Sequence, residues 1–206
     1  MHIPATTKNI IFDFGGVILN IDYKLTEKAF AGLGLMDFHK IYSQAVQSEL
    51  FDAFETGKIS PTEFRAGIRK YIGTSSDAQI DKAWNAMLLD LPEERVLLLD
   101  KLRKTHRLFL LSNTNEIHYT AFTAYMKKKF GRDIFKEVFE KAYVSHQVKM
   151  RKPDAEIFEL VVAENKLKKE ETVFIDDSIQ HIEGAKKVGL NAVFLEKGKT
   201  ILDLVI

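Results

Sequence analysis

The stretch Asn9-Ile10-Ile11-Phe12-Asp13-Phe14-Gly15-Gly16-Val17 decides the fold. A short apolar run leads into an acidic residue, Asp13, and the chain then opens into a turn with two glycines. Such a run, bounded by turn residues, is typical of a strand buried on both faces of a parallel sheet. Ligands of open parallel sheets bind beyond the carboxyl ends of the strands, and the pattern places Asp13 there.

Three later stretches carry polar side chains of the kinds that a phosphate and a metal ion need. Leu110-Leu111-Ser112-Asn113 ends in a hydroxyl and an amide, and Val173-Phe174-Ile175-Asp176-Asp177 ends in two carboxylates. Arg151-Lys152-Pro153 supplies a lysine from a loop between them. Because the carboxyl ends of parallel strands meet at one edge of a sheet, we expect these groups to form a single site.

Apolar runs alternate with helical patterns after residue 90, which predicts an α/β fold with a parallel sheet. We expect all five strands to be buried on both faces. The predicted strands are 10–13, 107–112, 142–145, 172–176 and 192–195. The predicted helices between them are 93–104, 117–130, 154–165 and 179–188.

Residues 23–90, called the helical segment below, show helical periodicity with no convincing strand. Ser60-Pro61 is typical of a helix start, with an N-cap and a proline at the first helical position. The four predicted helices of the segment are 24–33, 38–55, 61–72 and 77–88. The chain therefore divides into a sheet-based core of residues 1–22 and 91–206 and an inserted lobe of residues 23–90, with a cleft between them.

The composition is that of an ordinary globular protein of 206 residues, with 46% hydrophobic and 29% charged residues. A net charge of +1 gives no reason to expect nucleic-acid binding. The chain has no cysteine, and no apolar run approaches the length of a membrane span. We expect a cytoplasmic protein, a monomer or weak homodimer, with neither a membrane nor a nucleic acid as partner.

The carboxylates predict covalent chemistry beside a metal ion. A carboxylate such as Asp13 can attack phosphorus and carry the phosphoryl group, which splits one difficult hydrolysis into two easier steps. The adjacent Asp176 and Asp177 would raise each other's pKa unless a cation lies between them, and Mg²⁺ prefers such oxygen ligands. We favour Asp177 as the direct ligand, with Asp176 as an indirect or alternate one and the Gly15 carbonyl as a further candidate. His181 is expected on a helix surface.

The other polar groups predict a phosphate site. The Ser112 hydroxyl can donate to a phosphate oxygen, Asn113 can orient the nucleophile or the substrate, and Lys152 can offset the crowded negative charge. Gly16 lets the backbone approach a ligand closely, so that nearby amides could face phosphate oxygens. Arg151 could contact a substrate, although exposure to solvent is favoured.

At this point the chain resembles the haloacid dehalogenase-like hydrolase superfamily, over nearly its whole length. The helical segment stands in the gap where that family places a cap domain. The family's four motifs appear in order as Asp13-Phe14-Gly15-Gly16-Val17, Ser112-Asn113, Lys152-Pro153 and Asp176-Asp177. The resemblance implies a Rossmann-like core with an inserted four-helix cap, Mg²⁺ dependence and, most often, a phosphatase of a small phosphorylated metabolite.

The resemblance also implies roles for individual residues. It makes Asp13 the nucleophile, the Gly15 carbonyl and Asp177 Mg²⁺ ligands, and Ser112 and Lys152 phosphate-binding groups. The motifs are most similar to the α-D-glucose-1-phosphate phosphatase branch, which shares the Met150-Arg151-Lys152-Pro153 pattern. A sugar 1-phosphate is therefore one candidate substrate.

One position departs from the family pattern. Family phosphatases usually carry a second aspartate, a general acid and base, where this chain has Gly15. Loss of such help typically costs about 10²–10⁴-fold in rate. Asp22 is a candidate replacement, although its position favours the N-cap of the first helix of the helical segment.

Two alternatives follow from this departure. A metal-independent 2-haloacid dehalogenase also lacks the second aspartate, but a site without a cation has nothing to offset the two adjacent carboxylates. A catalytically inactive relative that binds a phosphorylated ligand is the other alternative.

Overall fold

A computed structural model describes residues 2–42 and 49–205. Its centre is a parallel sheet of five strands in the order β3-β2-β1-β4-β5, the Rossmann-like order. The strands are β1 (Asn9–Phe12), β2 (Arg107–Ser112), β3 (Lys141–Val144), β4 (Thr172–Asp176) and β5 (Asn191–Phe194). The predicted α/β class is confirmed, and the strand bounds agree with the predicted ones to within one residue.

The register of the sheet brings the polar strand ends to one edge. Phe12 of the central strand pairs with Leu110 of β2 and with Ile175 of β4. The backbone amide of Asp13 continues this pairing by donating to the Ile175 carbonyl at 2.9 Å. Asp13 therefore leaves the sheet level with Asp176, between two strands that each end in a polar residue.

Burial of all five strands on both faces was predicted. This is wrong for the edge strand β5 and in part for the other edge strand, β3, where Lys141 is exposed and Ala142 half-buried. Each of the four residues of β1 is buried, whereas β5 is half-buried and Phe194 is 37% exposed. An edge strand has a neighbour on one side only, here β4, so its other side stays open to solvent.

Outside residues 43–48, the helical segment contains four α-helices. They are α1 (Tyr23–Ala31), α2 (Glu49–Glu55), α3 (Pro61–Ile72) and α4 (Asp77–Trp84). The helix α3 begins as predicted, with Ser60 in a capping box and Pro61 in the first turn. The helix α4 ends before residue 88 and continues as a 3₁₀ turn over Asn85–Met87.

The prediction of one continuous helix over 38–55 is wrong. Phe38–Lys40 forms a 3₁₀ turn and α2 begins at Glu49, while residues 43–48 lie outside the described residues. In one straight helix Phe38 and Phe51 would be about 20 Å apart. Their ring centroids are 5.8 Å apart, because both pack in the aromatic core around Trp84. Tertiary packing thus overrides the periodic pattern.

Six further helices accompany the sheet. They are α5 (Glu93–Leu102), α6 (Glu116–Phe130), α7 (Ile134–Val138), α8 (Ser145–Val148), α9 (Ala155–Glu164) and α10 (Ile179–Lys187). The sequence did not predict α7 and α8, since helices of five and four residues are too short to show a period. No helix among the described residues is long and apolar enough to cross a membrane.

Two chain segments that run side by side join the helical segment to the sheet. Ile21 and Leu88 form an antiparallel bridge. The Asn20 amide donates to the Asp90 carbonyl at 2.9 Å on one side of that bridge. On the core side Arg95 Nη1 donates to the Ile18 carbonyl at 3.1 Å, which fixes the loop that follows the first strand.

Candidate active site

A buried lysine joins two carboxylates at the carboxyl edge of the sheet. Lys152 Nζ donates to Asp13 Oδ1 at 2.7 Å and to Asp176 Oδ2 at 2.7 Å. Lys152 is fully buried, as is Asp176, and Asp13 is nearly so. The predicted grouping of these three side chains is thus what the structure shows, although they are up to 163 positions apart in the chain.

The charges of Lys152, Asp13 and Asp176 shift one another's pKa values. Burial opposes the charged form of Lys152, but the two carboxylates outweigh it and the pKa of the ammonium rises above its usual range. Burial also raises the pKa of Asp13, as does the charge of Asp176, against the opposite effect of Lys152. For Asp176, burial is outweighed by Lys152 and His181, so that its pKa is lowered. The lysine is therefore a fixed cation beside carboxylates that differ in proton affinity.

Both carboxylate oxygens of Asp176 make hydrogen bonds within the site. Its Oδ1 accepts a hydrogen bond from the Ser178 amide at 2.7 Å, and His181 Nδ1 lies 2.9 Å from its Oδ2. Sequence analysis placed His181 on a helix surface, but its side chain reaches back from the first turns of α10 and also lines the pocket. A sequence signal for this role of His181 does exist. The residue lies five positions after Asp176, in the first turn of the helix that follows β4.

Asp177 packs against the glycine turn that follows Asp13. A Cβ built on Gly16 would lie 2.2 Å from Asp177 Oδ2, and Gly16 has a φ of +82°. Both the close approach and the left-handed backbone require glycine at this position. The Gly16 amide donates to the Leu19 carbonyl, which closes the turn.

The carboxylates fit a divalent metal ion. Asp13, Asp176 and Asp177 each offer an oxygen within 4.8 Å of the others. Mg²⁺ prefers a set of carboxylate oxygens this close together. Without a cation, the same three carboxylates concentrate negative charge in one place. Since Asp176 already binds Lys152, Ser178 and His181, Asp177 has the carboxylate better placed to serve as a direct ligand.

Magnesium should stabilise the protein more at high pH than at low pH. Burial, with Asp13 and Asp176 nearby, raises the pKa of Asp177 to about 7 in the metal-free protein. An acid whose pKa is raised by folding stabilises the fold below its unfolded pKa, and that stabilisation is lost as the pH rises through about 7. A bound cation offsets this loss. At about 100 times its Kd, Mg²⁺ should add roughly 2.7 kcal/mol.

Thermal melts with and without Mg²⁺, near pH 8 and near pH 5.5, would measure this effect, which corresponds to a Tm rise of about 5–10 °C. Asp177→Asn should lose most of the rise and its pH dependence. Asp154→Asn removes an exposed carboxylate that makes no capping hydrogen bond, and should keep both. An equal Tm rise in all three proteins would mean that the ion binds elsewhere.

The side chains of Ser112, the last residue of β2, and of Asn113, the residue after it, differ in their hydrogen bonding. Ser112 is buried and lines the pocket, and its hydroxyl makes no hydrogen bond within residues 2–42 and 49–205. The Asn113 amide is already in use, since its Nδ2 donates to the Lys152 carbonyl and its Oδ1 accepts from the Lys152 amide, both at 2.9 Å. Asn113 therefore positions the lysine loop, and its expected contact with the substrate stays a prediction.

The place of the missing second aspartate is partly occupied. A Cβ on Gly15 would lie 3.3 Å from Ile21 Cδ1. Asp22, the proposed replacement, caps α1 by accepting from the Lys24 amide at 3.0 Å, as its position favoured. It is not among the described residues that line the pocket, so the geometry gives no support to an acid–base role.

A small pocket opens over these groups. Its volume is about 80 Å³, below the 300–1,000 Å³ of common ligand sites. The helical segment contributes much of its wall, including Tyr23, Tyr42 and Glu55, and the core adds His118 and Arg151. Of these residues, the sequence suggested only Arg151 as a possible substrate contact. It did not predict Tyr23, Tyr42 and Glu55 as part of the site, because only the packing of the helical segment on the sheet brings them there.

A polar contact also anchors the helical segment to the core at this pocket. The His118 ring stacks on Trp84 with centroids 4.6 Å apart, and its Nε2 lies 3.1 Å from the Trp84 carbonyl. Trp84 Nε1 donates to Asn115 Oδ1 at 3.2 Å. Burial lowers the pKa of His118 to about 4, so the ring is neutral at physiological pH.

Comparisons with known proteins agree with this geometry. The family model of the haloacid dehalogenase-like hydrolases matches residues 7–189. The D-ribitol-5-phosphate phosphatase of Bacteroides thetaiotaomicron is 31% identical over 192 residues, which make up 93% of this chain and 93% of that protein.

Two solved structures are similar over nearly their whole length. One is a HAD family enzyme of B. thetaiotaomicron, an aspartate-to-alanine mutant in complex with magnesium and inorganic phosphate. Its TM-score is 0.85 and its sequence identity 36%, over 94% of this chain and 96% of that chain. The other is a predicted HAD-like family hydrolase of Porphyromonas gingivalis, with a TM-score of 0.86 and 31% identity over 95% and 94% of the two chains.

Proposed function

The chain belongs to the haloacid dehalogenase-like hydrolases, and we propose that it is a Mg²⁺-dependent phosphomonoesterase that acts on a small phosphorylated metabolite. The observation that carries the proposal is the buried Lys152 ammonium, 2.7 Å from both Asp13 and Asp176, where Asp13 also lines a pocket together with Asp177. A cation fixed there would receive a phosphate group next to a carboxylate that can attack it. The relative named as a phosphatase, and the similar enzyme with bound magnesium and phosphate, support the same reaction.

Asp13 is the nucleophile in this proposal. Lys152 binds its Oδ1, which leaves Oδ2 to attack phosphorus. The new bond joins Oδ2 to phosphorus, and the bond from phosphorus to the ester oxygen breaks with its electron pair going to that oxygen, which takes a proton from water and leaves as the alcohol. Water then attacks the phosphorus of the aspartyl phosphate, which releases inorganic phosphate and restores the carboxylate.

The phosphate oxygens would meet three donors. The Lys152 ammonium offers charge, the Ser112 hydroxyl offers a hydrogen bond, and the turn around Gly16 offers backbone amides. Asp13, Asp177 and the Gly15 carbonyl would hold Mg²⁺, with Asp176 fixing the lysine. When bound, the ion would neutralise charge on the carboxylates and the phosphate.

The helical segment would act as a cap in this proposal. Residues 1–22 and 91–206 would form the catalytic core, and residues 23–90 would cover the pocket and exclude bulk water. The walls that the helical segment gives to the pocket support this division. Such lids set specificity because they contact the part of the substrate that does not react.

Two classes of phosphate ester are candidate substrates. The similarity to a D-ribitol-5-phosphate phosphatase supports a polyol phosphate, whereas the sequence motifs suggest a sugar 1-phosphate. A sugar 1-phosphate leaves through its anomeric oxygen, which needs less proton transfer than a primary alcohol. For such a substrate, the absence of a second aspartate at Gly15 would lower the rate less than it would for the phosphate of a primary alcohol.

Phosphate release is the test. The wild-type protein is assayed with ribitol 5-phosphate, glucose 1-phosphate and an aryl phosphate, each with Mg²⁺ and with a chelator. We expect release that requires Mg²⁺, with one of the two metabolite phosphates preferred. The proposal fails if a folded protein releases phosphate from none of the three. Metal-independent halide release from 2-chloropropionate would then identify a dehalogenase instead.

A further inference from the structure

Arg151 lies beside the catalytic lysine in the chain but extends in another direction. Its guanidinium crosses from the core to α2, where Nη1 contacts Asp52 Oδ1 at 2.6 Å and Nη2 contacts Glu55 Oε2 at 3.2 Å. The side chain is 20% exposed, so the expected exposure to solvent is wrong. The reason is that two carboxylates of the helical segment face this loop.

Glu55 and Arg151 both line the pocket above Asp13. The Glu55 side chain is only 6% exposed, and the rings of Tyr23 and Tyr42 line the same wall. Arg151 Nε is buried and has no hydrogen-bond partner among the described residues. A buried donor without a partner is costly, so a ligand oxygen that reached this N–H would gain an unused hydrogen bond.

The charges of the pocket limit what that ligand can be. Asp52 and Glu55 already balance the Arg151 guanidinium. Lys152 is likewise shared between two carboxylates, so neither Arg151 nor Lys152 has positive charge to spare for a second anionic group. A carboxylate beside a guanidinium still offers acceptor oxygens and N–H donors side by side. Neighbouring hydroxyl groups, each both donor and acceptor, match such a pair.

We propose that Glu55 and Arg151 form a hydroxyl-binding subsite, which selects an uncharged polyhydroxylated leaving group such as that of a polyol or sugar phosphate. The phosphate would lie at Lys152 and the hydroxyl chain would extend toward α2. This inference rests on the proposed phosphatase function and adds the residues that would recognise the hydroxyl groups of such a substrate. It makes Glu55 and Arg151 determinants of specificity and leaves the attack on phosphorus to Asp13.

The test compares two phosphate esters that differ only in hydroxyl groups. Ribitol 5-phosphate carries them, and pentyl phosphate has the same carbon chain without them. Glu55→Gln and Arg151→Met should lower kcat/KM for ribitol 5-phosphate about 10-fold to 100-fold. Pentyl phosphate should change by less than about threefold, since it makes no hydrogen bond that the variants could lose.

Asp52→Asn is the matched control. Asp52 binds the same guanidinium from the same helix, but it is not among the described residues that line the pocket. It should leave the preference for ribitol 5-phosphate within about threefold of wild type. Glu55→Gln could instead lower kcat/KM by the same factor for both esters and so behave like the control. In that case the ion pair of Glu55 with Arg151 only holds α2 to the core, and the subsite is rejected.

An aryl phosphate separates failure of the subsite from failure of the proposed function. Wild-type protein that hydrolyses the aryl phosphate but does not prefer ribitol 5-phosphate to pentyl phosphate would overturn the subsite alone. Wild-type protein that hydrolyses no phosphate ester would overturn both. Thermal melts of each variant confirm that the compared proteins are folded.

Discussion

Asp13→Asn lowers the rate of phosphate release by about 10⁴-fold or more. An amide oxygen is a poor nucleophile for phosphorus, and removing the attacking group of a covalent mechanism removes nearly all of its rate enhancement. The free energy of unfolding should change by no more than about 1 kcal/mol, because burial already raises the pKa of Asp13 and the amide oxygen can still accept a hydrogen bond from Lys152. Initial rates and denaturant melts of the purified variant give the two values.

Asp22→Asn is the control for this substitution. Asparagine is as good an N-cap as aspartate, so α1 keeps its start and the rate should stay within about threefold of wild type. A fall of about 10²–10⁴-fold would instead identify Asp22 as the general acid or base that stands in for the missing aspartate. Activity in Asp13→Asn close to that of wild type would contradict the assignment of the nucleophile.

Lys152→Met is the second large effect, and it acts on stability as well as on activity. Removing the ammonium leaves Asp13 and Asp176 buried without their common cation. Breaking a buried ion pair in this way costs about 3–5 kcal/mol in the free energy of unfolding. Phosphate release should fall by roughly 10²–10³-fold, since the group that meets the phosphate is lost.

The pH dependence gives this prediction a distinct signature. Without the lysine, the pKa of Asp13, which burial already raises, rises further, and the pKa of Asp176 rises because the ammonium that lowered it is gone. Such groups stabilise the fold below their unfolded pKa, near 4, and lose that stabilisation as the pH rises through the folded pKa. Denaturant melts should therefore show a larger deficit near pH 8 than near pH 5.

Two further variants control this experiment. Lys168→Met removes an exposed lysine that lies 3.9 Å from Glu171, and should cost less than about 1 kcal/mol. Lys152→Met with Asp176→Asn should recover part of the stability, because it removes one of the uncompensated charges. A deficit that neither depends on pH nor responds to Asp176→Asn would mean that the loss comes from packing.

The sequence predicted the parts of this protein that short-range patterns determine. Short apolar runs located all five strands, and parallel-sheet geometry then placed Asp13, Ser112 and Asp176, which stand at the ends of three of them, at one edge. The Ser60 capping signal located the start of α3. Each of these features depends on residues close together in the chain.

Features that depend on tertiary packing were not predicted. Phe38 and Phe51 pack together against Trp84, and no local sequence signal near either phenylalanine indicates Trp84 as a partner. The position of Glu55 beside Arg151 likewise depends on how the helical segment lies on the sheet. Sequence reasoning therefore found the groups that would act on phosphate and missed those that face the rest of a substrate.

One measurement tests the central claim, covalent attack by Asp13, most directly. Wild-type protein with Mg²⁺ and its best substrate is quenched in acid through the first turnover, and its peptides are mapped by mass spectrometry. A single phosphoryl group on the peptide that contains Asp13, absent in Asp13→Asn and in the presence of chelator, is the predicted result. Phosphate release through the first turnover with no phosphoryl group on that peptide, or with one on another residue, would contradict the account.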